Sequence, residues 1–329
     1  MARPLVAWLG IAIGLGFCAC VTSRATEFIR VEKADEAMGT TFSVVLYGAG
    51  RAQLEDAAAA ALDEAHRVDQ MLSNYLSTSV WNDVNRFAAL QPVKVSSEFF
   101  QLLSACLDYS LASDGTFDIT VGPLMKVWGF YKGEGSLPRK AQIAQVLKQV
   151  GYRHVHLDRP SQSVRFDLPG VELDPGGVGK GYAVDRMVDV LRRRGVRFAL
   201  VSAGGSSIYG MGAPPDDPNG WRVTIRAPQD AHRTAAEVFL KDMSLSTSGS
   251  YEKFFWAKGR RYAHIMDPRT GYPARGTASV SVLAPRTIDS EVWAKPYFIR
   301  GRGWTTVHRL KDFRVFFCED TAQQTCNWI

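Results

Sequence analysis

The residues best suited to chemistry lie between 171 and 210, in the run VELDPGGVGKGYAVDRMVDVLRRRGVRFALVSAGGSSIYG. A strand-like apolar segment ends in Asp174, a Pro-Gly-Gly turn follows, and Gly179-Lys180-Gly181 opens an amphipathic helix. A strand feeding a glycine-rich turn at a helix N-terminus offers backbone N–H groups and a positive dipole end to an anion, and Lys180 adds a full charge. That chemistry suits the grip of a phosphate, and so a phosphorylated ligand or nucleotide cofactor. Two familiar phosphate motifs do not fit. GGVGKG lacks the GxGxxG spacing of a dinucleotide fold, and no ribose-binding acid follows at the distance a βαβ unit needs. The P-loop pattern GxxxxGK[ST] is absent as well.

Four further clusters have chemical potential. Ser246-Thr247-Ser248-Gly249-Ser250-Tyr251 follows an apolar strand and gathers hydroxyls in a tight turn. In Tyr262-Ala263-His264-Ile265-Met266-Asp267-Pro268-Arg269-Thr270-Gly271, a histidine able to take a proton near neutral pH stands close to a carboxylate and a guanidinium. Gly115-Thr116-Phe117-Asp118, running on to Trp128-Gly129-Phe130, supplies aromatics that either stack on a flat heterocycle or pin a loop to the core. Met38-Gly39-Thr40-Thr41 and Ser73-Asn74-Tyr75 bracket the first strand and first long helix.

The elements that must hold these clusters can be read from periodicity. Residues 40–47 read as a strand, and 51–72 as a helix with Ala and Leu at i, i+3 and i+4. Residues 96–112 read as a second helix, 114–138 as a loop and 140–150 as a short helix. Short strands are expected within 154–173, then at 221–227, 235–247, 277–283 and 313–317, with a short helix at 305–310. The pattern is a single mixed α/β (α+β) domain spanning residues 26–329, with strands outnumbering helices. The chain is 46% hydrophobic, enough for a sizeable core. Its +6 net charge is dispersed apart from Arg192-Arg193-Arg194 at a helix end, so it suggests anionic ligands and no nucleic-acid partner.

The first 25 residues read as an export signal: Arg3, then an apolar stretch at 5–17 that is short for a membrane span. Two exits stay open: cleavage after Ser23-Arg24-Ala25, or lipidation at Cys18 or Cys20. Either exit predicts an exported, periplasmic protein, with membrane anchoring by lipid in the second. Export permits disulfides, and Cys318 and Cys326 flank a short polar segment they could close; Cys106 sits in an apolar helical pattern and reads as a buried thiol.

Taken together and in order, these pieces resemble the ApbE family of FAD:protein FMN transferases. The pieces are MGTTFSV, LSNYLSTSVWNDVNR, GTFDITVGPLMKVWGF, ELDPGGVGKGYAVD, VSAGGSSIYG, STSGSYEKF and YAHIMDPRTGYP, from Met38 to Pro273. The resemblance implies a mixed fold with a T-fold-like core. It also implies a reaction in which FAD is split with Mg²⁺, FMN passes to a Thr or Ser hydroxyl of a flavin-accepting redox protein subunit, and AMP leaves. Inner-membrane association is implied too. By similarity Met38, Tyr75, Thr116, Phe117 and Asp118 contact FAD, and Asp174 and Lys180 hold its ribityl-pyrophosphate region. Thr247, Ser248 and Gly249 line the same pocket. His264 is the candidate base, with Asp267 nearby to orient the site. For the metal the resemblance implies the carbonyl of Gly179, then an Asp with a Thr four residues on. This chain departs there: anchored on Gly301, Glu291 takes the Asp position and Lys295 the Thr position, while the neighbouring register offers Asp289 and Trp293. Carboxylates ligate Mg²⁺, whereas an ammonium has no lone pair to give. Mg²⁺ held by Gly179, Glu291 and the FAD phosphates is the expectation. The alternatives are that Lys295 replaces part of the metal's charge, or that the chain is a periplasmic FAD-binding protein with weakened or absent transferase activity.

Overall fold

A computed structural model describes residues 28–321 and 325–329. The expected export signal, with Cys18 and Cys20, lies outside the described residues. The first hairpin is β1 (Ile29–Ala37) and β2 (Thr40–Gly48), joined through Met38 and Gly39. Then come α1 (Arg51–Leu72), α2 (Val80–Phe87), β3 (Val93–Lys94), α3 (Ser97–Ala112), α4 (Gly122–Val127) and α5 (Lys140–Leu147). A small sheet is completed by β4 (Val155–Asp158) and β5 (Ser163–Phe166), in the order β3-β5-β4. The glycine-rich turn leads into α6 (Gly179–Arg193), β6 (Phe198–Ala203) and β7 (Ser207–Met211). A two-stranded ribbon of β8 (Trp221–Ala227) and β9 (Asp230–Leu240) precedes β10 (Met243–Gly249). The hairpins β11 (Phe254–Ala257) with β12 (Arg260–Ala263) and β13 (Met266–Asp267) with β14 (Tyr272–Pro273) follow. The chain ends in β15 (Thr277–Ala284), α7 (Thr287–His308), β16 (Arg314–Glu319) and β17 (Cys326–Trp328).

The central sheet has eight strands in the order β1-β2-β6-β7-β10-β15-β16-β17, every neighbouring pair antiparallel. Period-two alternation divides its side chains between two cores. Val44, Leu46, Ala199 and Val201 face the helices α1, α3 and α6, while Val45, Tyr47, Phe198 and Leu200 face the β8–β9 ribbon with Trp221 and Leu240. α1 presents Leu54, Ala57, Ala61, Ala65 and Val68 along one stripe, and these alanines let it lie close on α6 and the first hairpin. The predicted mixed fold stands, and Cys318 and Cys326 are disulfide-bonded neighbours on β16 and β17. No helix among the described residues is long and apolar enough to cross a membrane.

Several elements differ from the sequence reading. The expected loop at 114–138 contains α4, and the single strand expected at 235–247 is two, turned at Asp242, whose φ is 51°. The largest difference is α7. The expected short helix at 305–310 is only the end of a segment that begins at Thr287 and breaks at Gly301, where φ is 78° and ψ 178°. Pro296 and Gly301 look like breakers in the sequence, and apolar residues on most sides of the helix erase its periodicity. β1 was not expected because, as an exposed edge strand, it is mostly charged.

Candidate active site

The glycine-rich turn, the 114–118 loop, the loop bearing His264 and the middle of α7 meet around one cavity. Its walls include Thr116, Phe117, Asp174, His264 and Lys295, over Gly176 and Gly177. Asp174 is buried and fully engaged. Its Oδ1 accepts the Gly176 N–H at 2.8 Å, and its Oδ2 accepts the Tyr131 hydroxyl at 2.5 Å and Asn74 Nδ2 at 3.2 Å. Burial pushes its pKa up, against the pull of those bonds and of the Lys253 charge. Asp118 is alike: burial raises its pKa, and its carboxylate accepts from the Thr120 N–H and hydroxyl and from the Tyr152 N–H. These two acids hold loops together.

His264 Nδ1 lies 3.1 Å from the carbonyl of Lys253. A carbonyl only accepts, so Nδ1 holds the proton and Nε2 keeps its lone pair. The ring is half-buried at the cavity edge, with the Phe130 ring 6.5 Å away. Burial, then the charges of Lys253, Lys295 and Lys180, push its pKa down to about 4, while the Lys253 carbonyl pulls the other way. The imidazole is neutral at pH 7, free to take a proton.

Lys180 reaches from α6 to the second glycine turn, donating to Ser206 Oγ at 2.5 Å. The N-terminus of α6 itself holds a surprise. Gly181 N–H, expected to face a phosphate, donates to Glu291 Oε2 at 2.5 Å. A Cβ on Gly181 would sit 2.6 Å from the Thr287 carbonyl and 2.9 Å from Glu291 Oε2, so this glycine is required by the approach of α7. Met38 packs its methyl onto Gly179, where an added Cβ would stand 2.7 Å from it.

Other expected site residues lie elsewhere. Tyr75 is 78% exposed and is not among the cavity walls. Thr247 pairs its hydroxyl with Ser281 at 2.7 Å, and its N–H meets the Ser206 carbonyl at 2.8 Å, so Thr247, Ser248 and Gly249 stand by Lys180's turn and not among the cavity walls. Asp267 makes a bidentate pair with Arg269, at 2.9 and 2.8 Å, and accepts the Arg269 N–H; it pins its own turn and makes no hydrogen bond to His264. Asp289 accepts from Tyr109 and Arg286, on the side of α7 turned from the cavity, which corrects the second metal register. Sequence reasoning missed Asn74, Tyr131, Ser206 and Lys253 as partners of site residues. Asn74 stood beside the chosen Tyr75, while nothing in the sequence singled out Tyr131.

Comparison with known proteins decides the family. The sequence model of the ApbE family matches residues 38–317. The chain belongs to the ApbE family. The FAD:protein FMN transferase of Klebsiella pneumoniae is 32% identical over 264 residues, covering 77% of this chain and 81% of that one. The transferase of the same name from Salmonella typhimurium is 32% identical over 271 residues, 80% and 77% of the two chains. Among solved structures, the ApbE protein of Thermotoga maritima superposes with a TM-score of 0.83 at 28% identity, over 91% of this chain and 96% of that one. Apo Pseudomonas stutzeri flavinyl transferase ApbE gives 0.80 at 28%, over 91% and 95%.

At the metal position that the resemblance implies, the donor atoms are already engaged. Glu291 is buried; its Oε2 is committed to Gly181, and its Oε1 lies 3.7 Å from Lys295 Nζ. Lys295 also donates to the Glu291 carbonyl at 3.0 Å. Burial lowers the Lys295 pKa to about 8, with Glu291 opposing, so the ammonium form prevails at pH 7. A carboxylate already paired with an ammonium is a poor ligand for a divalent cation, and the ammonium repels one. Gly179 offers only a neutral carbonyl. The residues do not fit the Mg²⁺ site that the resemblance implies.

Proposed function

We propose that the protein transfers FMN from FAD to a Thr or Ser hydroxyl of a second protein, releasing AMP. The observation that supports this most is the cavity itself. A neutral histidine with a free Nε2 lone pair, the Lys295 ammonium and a buried, unpartnered hydroxyl surround one space in a chain of the ApbE family. Thr116 Oγ1 is buried without a hydrogen-bond partner among the described residues, and so is Asn74 Oδ1 beside Asp174. Such atoms cost free energy unless a ligand completes them, and the polar edge of a flavin or ribityl chain can do so.

The chemistry balances with the groups present. The acceptor Oγ attacks the FMN-side phosphorus, and the anhydride P–O bond to AMP breaks. His264 Nε2 takes the hydroxyl proton, and AMP leaves with the electron pair. Lys180 and Lys295 offset the pyrophosphate charge as it redistributes. The metal implied by the resemblance would add further charge neutralisation, but no step is assigned to it because its protein ligands are ill-suited. The Cys318–Cys326 disulfide supports an oxidising compartment, and with it an exported, periplasmic setting, reached either by cleavage after Ala25 or by lipidation at Cys18 or Cys20.

The test is a mass measurement on a flavin-accepting domain incubated with FAD and this protein. An FMN-sized gain on the acceptor with equimolar AMP is expected. FAD bound firmly without mass gain or AMP would favour the alternative, a flavin-binding protein that has lost transfer. Absence of FAD binding would remove both.

A further inference from the structure

We propose that Lys295 is a built-in cation: its ammonium, held by Glu291, faces the FAD pyrophosphate where a divalent ion would otherwise stand, and the site excludes that ion. The inference rests on the FAD reading above and concerns what neutralises the diphosphate.

The geometry is specific. Lys295 and Glu291 are one turn apart on α7, and the Glu291 carboxylate is fixed from the other side by the Gly181 N–H at the start of α6. The carboxylate therefore caps the helix end that a ligand phosphate would otherwise occupy. Lys295 bends over the glycine-rich turn: a Cβ on Gly177 would lie 3.8 Å from Lys295 Cε. Its side chain is 19% exposed and lines the cavity with Asp174 and His264. An ammonium has three donors. One goes to the Glu291 carbonyl and one faces its carboxylate, which leaves one for an anion in the cavity. An ammonium left with a free donor in a largely buried pocket is costly unless an anion completes it, and a diphosphate supplies one.

A charge count shows what the exchange does. A carboxylate with a divalent ion leaves one net positive charge at the pyrophosphate, whereas a carboxylate with an ammonium leaves none. The net charge that a metal would bring is therefore left to Lys180, while Lys295 contributes a directed hydrogen-bond donor, and added metal gains nothing.

The test uses the whole protein and two readouts besides turnover: Mn²⁺ binding by electron paramagnetic resonance, with and without FAD, and FAD affinity in EDTA or Mg²⁺. Wild type is expected to leave Mn²⁺ free and to bind FAD within about twofold in the two buffers. Glu291→Asp/Lys295→Thr, which restores the usual pair, should take up one Mn²⁺ per chain. Its FAD affinity should fall at least about tenfold on adding EDTA. Glu291→Gln/Lys295→Met removes both charges together and so leaves none buried alone. It should fold, as checked by its melting curve, and bind FAD at least about tenfold more weakly than wild type. Stoichiometric Mn²⁺ binding by wild type, or a tenfold loss of its FAD affinity in EDTA, would overturn the proposal. So would a Gln/Met variant that binds FAD as wild type does. If wild type binds no FAD in either buffer, the FAD reading fails, while the Mn²⁺ titration of free protein still reports on the exclusion.

Discussion

The cavity is lined by two opposite kinds of group. The acids have their oxygens consumed by the protein: Asp174 by Tyr131, Asn74 and Gly176, and Asp118 by Thr120 and Tyr152. The bases have something left over, namely the Nε2 lone pair of His264 and an ammonium hydrogen of Lys295. The difference separates shape from chemistry. Acids here set the positions of loops, and nitrogen groups meet the ligand.

The strongest way to break that division is at His264. His264→Ala should lower FMN transfer by about 10²- to 10⁴-fold, the range for a positioned general base, while FAD affinity and melting temperature stay near wild type. Rates follow from mass spectrometry of the acceptor under single-turnover conditions. Transfer at wild-type rate would move the proton acceptor elsewhere. On the scaffold side, Glu291→Gln keeps an oxygen for Gly181 but leaves Lys295 without its counter-charge. Breaking one partner of a buried pair costs about 3–5 kcal/mol, and urea denaturation should show a loss of that order. A loss under about 1 kcal/mol would mean that the pair is loosely held.

The comparison also explains how much was visible beforehand. The first long helices, several central strands, the turn at 174–181 and His264 were legible because glycine, proline and period-two alternation leave local signatures. Which oxygen is free was not legible. Asp267 and Asp174 look alike in sequence, each beside a proline in a turn. Only the fold shows Arg269 closing over the first, and Tyr131, 43 residues earlier, closing on the second. Gly181 shows the same limit: read as a phosphate cradle, it is a contact between α6 and α7 made across 110 residues. Long-range packing decides such pairings, and α7 hid its own helical period behind Pro296 and Gly301.

A smaller effect should appear in stability against pH. His264 has its folded pKa pushed down from 6.5 to about 4, so the unfolded chain binds a proton that the folded chain refuses. Its contribution is complete above pH 6.5 and is lost as the pH falls towards 4, by at most about 3 kcal/mol and less because the ring is partly open to solvent. Asp185 acts in the opposite sense. Burial raises it from 3.8 to about 6 against its bonds to the Thr287 and Ile288 N–H groups, so its term is present below pH 3.8 and lost as the pH rises through 6. The wild-type curve blends the two, and the clean measurement is the difference between wild type and His264→Ala in denaturant midpoint from pH 4 to 7. That difference, near zero at pH 7, should move in favour of His264→Ala as the acid end is approached. A difference constant across the window would show that His264 titrates in the folded protein as it does in the unfolded chain.

The smallest expected change carries the sharpest sign. Thr116 has a buried hydroxyl with no partner among the described residues, two positions from the satisfied Asp118. Thr116→Val has nearly the same shape and removes an oxygen that costs free energy in the ligand-free protein. It should therefore raise stability by about 1 kcal/mol. If that hydroxyl is kept for FAD, the same variant must bind FAD several-fold more weakly, because the ligand atom that would meet it is left unpaired. Stability and affinity moving in opposite directions would mark Thr116 as a ligand contact held at the expense of the fold. A variant less stable than wild type would place an unseen partner on the hydroxyl and return Thr116 to the scaffold.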